Sequence, residues 1–184
     1  MERSSTPGPP LDPVTQFREL YEREYLAVFR SVRAIVLDPS AAEDLTQEAF
    51  VKAYRARHGY KPTAPAGAWL HRIAVNTAIS HLRRQKLAKL LPVRLYTPAY
   101  SNEYERADAR SVVELALADL SPKLRAVVAL HYYQGFTRDE IAAALGIPSG
   151  TVASRLAKAV ATMRRRLGDQ NPEPGRLVDE GALR

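Results

Sequence analysis

FTRDEIAAALGIPSGTVASRLAKAVATMRRRL, residues 136–167, decides the architecture of this chain. Thr137 followed by Glu140 forms a capping box and predicts a helix start. Ile141, Ala144 and Leu145 give that helix one apolar face. Gly146 ends it, because glycine enters the left-handed region without a Cβ penalty. Ile147 fills the corner, Pro148 cannot continue the first helix, and Ser149 is an expected N-cap for a second. Val152, Leu156, Ala159, Val160, Met163 and Leu167 then recur at helical spacing. Two helices joined by a short glycine turn predict a helix-turn-helix. From Ser149 to Leu167 there are five Lys/Arg and no acid, so the second helix suits a major groove. The same pattern also fits a helical hairpin with a solvated basic face.

Charge is segregated along the 184 residues. Residues 1–48 hold nine acids and five bases, residues 49–102 ten bases and no acid, residues 103–148 seven acids and five bases, and residues 149–184 four acids and seven bases. Two basic zones divided by near-neutral sequence fit a polyanion touched at two places. Cysteine is absent, which excludes disulfides, thiolate nucleophiles and thiolate metal sites. The four histidines lack metal spacing, and no phosphate-binding glycine loop or activated nucleophile is present, so neither an enzyme nor a cofactor is expected. No apolar run approaches the roughly 20 residues of a membrane span, and no secretory leader is recognisable. No membrane insertion and a cytoplasmic location are the expectation.

Upstream, residues 1–12 read as a Pro-rich disordered tail. Apolar positions from Val14 to Val36 predict a helix of about six turns. Ser40-Ala41-Ala42-Glu43 predicts a second capping box. In the helix that follows, Asp44, Gln47 and Glu48 share one face, with Phe50 and Tyr54 beside the apolar stripe; first-turn acids also simply suit the helix dipole. A Pro/Gly loop of about ten residues, 59–68, is long for its job. The next helix runs from Trp69 towards Pro92 and leaves His71, Arg72, Asn76, Ser80, Arg83 and Arg84 for its outer side. Indole stacks on bases, asparagine reads base edges and arginine binds phosphate; Trp69 fits a core role equally, and Asn76 an ordinary surface amide. Residues 92–107 break both periodicity and charge pattern and predict a flexible linker. Ser121-Pro122 starts a helix that continues to Gly135. The fold class is therefore all-α, with two small helical domains at 13–91 and 108–168 and a polar tail at 169–184.

Three strings together resemble the extracytoplasmic-function (ECF) group of the sigma-70 family of RNA polymerase sigma factors. AEDLTQEAFVKAYR (42–55) is similar to its regions 2.1–2.2, WLHRIAVNTAISHLRR (69–84) to regions 2.3–2.4, and residues 114–159 to the helix-turn-helix region 4. The resemblance covers roughly residues 14–168. It implies a transcription initiation factor that binds core RNA polymerase, recognises −10 and −35 promoter elements and assists melting. Its implied polymerase contacts are Asp44, Gln47, Glu48, Phe50 and Tyr54. Its implied −10 contacts are Trp69, Arg72, Asn76, Arg83, Arg84 and Lys86, where the 59–68 loop helps receive a flipped base of the melted non-template strand. Thr151, Ser154, Arg155 and Lys158 would face the −35 duplex. An anti-sigma factor is a further implied partner. Ala153, Ala157 and Val160 stand where the family often carries larger or basic residues, which implies reliance on phosphate contacts and DNA shape. A stand-alone helix-turn-helix regulator with an N-terminal sensor or dimerisation half is the alternative; it needs an apolar pocket or dimer seam in a half that is basic instead.

Overall fold

The computed structural model describes residues 11–62, 64–90 and 112–168. The expected linker 92–107 and the tail 169–184 lie outside the described residues, as does all but the end of the 1–12 tail. Every regular element described is helical. Helix α1 is Phe17–Val36, α2 Pro39–Ala56 and α3 Ala66–Leu90, with a single 3-10 turn at Arg57–Gly59. Then come α4 (Val112–Ala118), α5 (Pro122–Val128), a π-helical turn (Ala129–Tyr133), α6 (Arg138–Leu145) and α7 (Ser149–Gly168).

Helix boundaries follow local chemistry. Leu37 adopts φ 60° and donates its N–H to the Arg33 carbonyl, closing α1 with a left-handed residue that is not glycine. Asp38, not Ser40, caps α2: its carboxylate accepts from the Ala41 N–H and Pro39 occupies the first turn. The expected capping box at Ser40 is corrected on that ground, because proline at N1 makes the preceding residue the cap. Ser121 stands at the N-cap position of α5 with Pro122 behind it, as expected, though its side chain makes no capping hydrogen bond. Helix α7 begins at Ser149, and its first carbonyl acceptor is Pro148, one residue before the expected cap.

The Thr137 capping box is present in full. The Thr137 N–H donates to Glu140 Oε2 at 2.8 Å and the Glu140 N–H donates to Thr137 Oγ1 at 3.3 Å. Gly146 closes α6 at φ 64°. Thr137→Ala should cost about 1 kcal/mol of unfolding free energy, read from urea melts. A change below about 0.3 kcal/mol would show that the box contributes nothing here.

Helices α1, α2 and α3 pack on one another, and α4, α5 and α6 pack around α7. The two groups share one core. Leu20, Val28, Val32 and Leu70 belong to the same buried cluster as Val127, Leu130, Ile141 and Val152. The contacts run from α1 to α5 and the π-helical turn, and from α3 to α5 and α6. A smaller cluster joins Ala34 of α1 to Leu117, Leu120 and Ala159. Full burial of an aliphatic side chain contributes about 1.5–3 kcal/mol, so the joint between the halves is a substantial part of the fold.

Candidate nucleic-acid and polymerase surfaces

The outer face of α2 carries a mixed polar and apolar stripe. Asp44 and Gln47 are exposed, and Glu48 pairs with Lys52 at 2.6 Å. Tyr54 is 50 % exposed and stacks under the Arg57 guanidinium at 3.7 Å. Val51 lies between them, 48 % exposed. Sequence reasoning passed over it, although an apolar residue three positions after Glu48 and three before Tyr54 shares their face. Phe50 is a correction. It is only 4 % exposed, packed edge-on to Phe17 and Tyr21 and stacked on Tyr25. Phe50 shapes the α1–α2 joint and presents nothing to a partner. Beside the stripe, a shallow cavity of about 390 Å³ is lined by Asp38, Asp44, Glu48 and His81 among others. Three carboxylates on its wall suit a basic partner.

Helix α3 places Trp69, Arg72, Asn76 and Arg83 along one line, at intervals of three, four and seven residues. Arg72, Asn76, Arg83, Arg84 and Lys86 are exposed, and Trp69 is half-buried. The preceding loop is pinned by a residue that sequence reasoning missed. Tyr60 meets the Trp69 ring edge-on at 5.4 Å and its hydroxyl donates to the Ala64 carbonyl at 2.6 Å. An aromatic residue inside a Pro/Gly loop was the available signal. The result is a basic, acid-free helix face with an aromatic wall at one end.

His71 is the second correction. The sequence pattern put it outside; it is 1 % exposed, with Phe136 edge-on to its ring at 5.3 Å. The second half of the chain covers this side of α3, which also buries Val75. Burial pulls the His71 pKa down to about 4, even with the Glu24 carboxylate 3.9 Å away. The unfolded chain takes up this proton near 6.5 and the folded chain only near 4. Stability from neutral His71 is therefore complete above pH 6.5 and is lost as pH falls towards 4, by up to about 3 kcal/mol. Denaturant melts of His71→Gln should show a flatter pH dependence in that window; an unchanged slope would remove His71 as its source.

Helix α7 buries Val152, Leu156 and Ala159, as its spacing predicted. Ser154 and Lys158 are exposed, while Thr151 and Arg155 are half-buried. The Ser154 hydroxyl donates to the Thr151 carbonyl at 3.0 Å, leaving its lone pairs outward as acceptors. Ala153 and Ala157 add no polar group to this face. The turn ahead of α7 meets α3: a Cβ built on Gly146 would lie 3.8 Å from Arg72 Nη2. The corner of the helix-turn-helix thus lies beside Arg72, one of the −10 candidates. Among the described residues, no cluster of three or more His, Cys, Asp or Glu could hold a metal, and no helix is long and apolar enough to cross a membrane.

Comparison with known proteins gives two family matches, sigma-70 region 2 over residues 20–88 and sigma-70 region 4 over residues 110–163. The RNA polymerase sigma-E factor of Streptomyces avermitilis is 34 % identical over 167 residues, covering 91 % of this chain and 93 % of that one. The ECF RNA polymerase sigma factor SigL of Mycobacterium tuberculosis is 35 % identical over 155 residues, covering 82 % and 88 %. Among solved structures, the Bartonella quintana sigma factor RpoE in complex with the anti-sigma factor NepR aligns with TM-score 0.67 at 22 % identity, over 84 % of this chain and 98 % of that one. CnrH in complex with the cytosolic domain of CnrY aligns with TM-score 0.62 at 24 % identity, over 84 % and 89 %. Those two likenesses concern the fold.

Proposed function

The chain belongs to the extracytoplasmic-function group of the sigma-70 family, and from that premise we propose how its surfaces divide the work of starting transcription. It is a transcription initiation sigma factor. Region 2 comprises residues 13–91 and region 4 residues 108–168, with 92–107 between them. It acts in the cytoplasm as a subunit of RNA polymerase and catalyses no reaction of its own.

Asp44, Gln47, Glu48 and Tyr54, with Val51 at their centre, form the polymerase contact. The carboxylates select a basic partner surface, and Val51 and Tyr54 supply the apolar area that binding needs. Trp69, Arg72 and Asn76 receive the −10 element. Tyr60 fixes the loop against Trp69, so the aromatic wall is in place before a base is extruded, a step that needs a few kcal/mol of unstacking. Arg83, Arg84 and Lys86 hold the phosphates on the same line. Thr151, Ser154, Arg155 and Lys158 meet the −35 duplex, with phosphate contacts outweighing base contacts because Ala153 and Ala157 offer no hydrogen bonds. An anti-sigma factor is the expected negative regulator, since both structural relatives were captured with one or with a partner's cytosolic domain. The stand-alone regulator is not favoured, because its sensor half would occupy the residues that match region 2.

One observation carries this reading: an acid-free helix face bearing Trp69, Arg72, Asn76 and Arg83 in line, with Tyr60 bracing the loop at its head. Trp69→Ala in the assembled holoenzyme should cut permanganate-reactive thymines in the −10 region about tenfold, from the roughly 1–3 kcal/mol of one lost stacking contact, with duplex binding retained. Unchanged reactivity would remove Trp69 from strand opening.

A further inference from the structure

Helix α3 has no acid in its first turn, and residues 49–102 hold none at all. Its 25 residues still build a macrodipole, whose positive end sits at residues 66–68, just ahead of Trp69. The compensating charge comes from α1. The Glu24 carboxylate lies against Gly67: a Cβ built there would stand 3.1 Å from Oε1 and 3.4 Å from Oε2. The Glu24 side chain is only 18 % exposed and accepts from Arg23 Nε at 3.1 Å. It also lies 3.9 Å from Nε2 of the buried His71, one turn further along α3.

This contact is on the far side of α3 from the −10 residues. Gly67, His71, Ala74 and Ala78 recur at intervals of three and four residues and form one line, buried from His71 onward. Arg72, Asn76 and Arg83 lie about 160° round the helix from that line, at 3.6 residues per turn. An acid on the exposed side of the first turn would repel the non-template strand. One supplied from α1, through the gap that Gly67 leaves, steadies the turn and keeps the DNA side acid-free. We infer that Glu24 is a positioning residue for −10 recognition: its carboxylate, admitted by Gly67, holds the first turn of α3 and with it the Trp69 ring where the extruded base is received. The inference rests on the sigma-factor reading above. The Trp69 N–H donates to the Pro65 carbonyl at 3.1 Å, so the ring and the start of the helix move together.

Glu24→Gln keeps the shape and removes the charge. In reconstituted holoenzyme, on a promoter that the parent opens, it should lower permanganate reactivity of the −10 thymines about tenfold, within the reach of a partly buried charge at a helix end. Preference for the parent −10 sequence over a substituted one should fall at least about fivefold, the low end of one misplaced stacking contact. Preference at −35, affinity for core enzyme and far-ultraviolet circular dichroism should stay parental. Gly67→Ala is the second arm. Alanine is the better helix former, yet opening should fall, because the added methyl displaces the carboxylate. Glu24→Asp combined with it retracts the carboxylate by one methylene and should restore at least half of the lost opening. An E24Q chain that opens and discriminates like the parent, or a G67A defect that Glu24→Asp does not relieve, would overturn the inference. So would loss of helicity or of core affinity in E24Q, which would make Glu24 a residue of the fold at large. If the parent itself opens no promoter, the sigma-factor reading falls, and the inference with it.

Discussion

Asp44→Lys should leave the fold intact and weaken association with core RNA polymerase by at least about thirtyfold, or some 2 kcal/mol. Asp44 is exposed and caps no helix: the α2 cap is Asp38, whose carboxylate binds the Ala41 N–H. Reversing the charge therefore disturbs no intramolecular hydrogen bond shown for this residue. It takes the cavity wall shared with Asp38 and Glu48 from three negative charges to a net of one and sets a like charge against a basic partner. Circular dichroism and denaturant midpoint should match the parent while titration against core enzyme shows the loss. A variant with parental affinity would move the polymerase contact off α2. Val51→Asp is the companion test, since it removes apolar area from the centre of the same stripe.

Leu130→Ala should cost about 2–5 kcal/mol, and the loss should be felt in both halves of the molecule. Leu130 is fully buried and lies in the cluster that also holds Leu20, Val28 and Leu70. The expected fall in Tm is about 10 °C for a chain of this size. The single tryptophan, Trp69, sits in region 2 and reports on that half alone. Its fluorescence transition should shift together with the far-ultraviolet circular dichroism transition, because the two halves share one core. If the Trp69 transition stays at the parental midpoint while helicity is lost early, the halves fold as independent units.

Most helices and the helix-turn-helix were legible because their signals are local. Thr137, Glu140 and Gly146 set the ends of α6 through neighbours within a few residues. At the start of α2 two cap signals compete in the sequence, the Ser40–Glu43 spacing and Asp38-Pro39, and the fixed φ of proline decides for Asp38. Phe50 and Tyr54 illustrate the limit. They are one turn apart, and α2 alone presents both beside its apolar stripe. Only the arrival of Phe17, Tyr21 and Tyr25 from α1 buries Phe50 and leaves Tyr54 half-exposed. His71 was misplaced for the same reason: α3 is covered on a second side by region 4, and no periodicity within α3 announces that. The π-helical turn at Ala129–Tyr133 leaves no mark in the sequence, since one inserted residue leaves the apolar spacing nearly unchanged. The candidate promoter faces were legible as residue types in line; that the helix-turn-helix corner at Gly146 lies beside Arg72 was not, because that contact depends on how the halves dock.

Reconstituted transcription on a pool of randomised promoter DNA tests the central claim most directly. Core RNA polymerase supplemented with this chain should select templates sharing two elements, near −10 and −35, and should open the duplex at the first of them, with core enzyme alone selecting none. Recovery of no open complexes above the core-only background, or enrichment of a single duplex site bound without polymerase, would contradict the account.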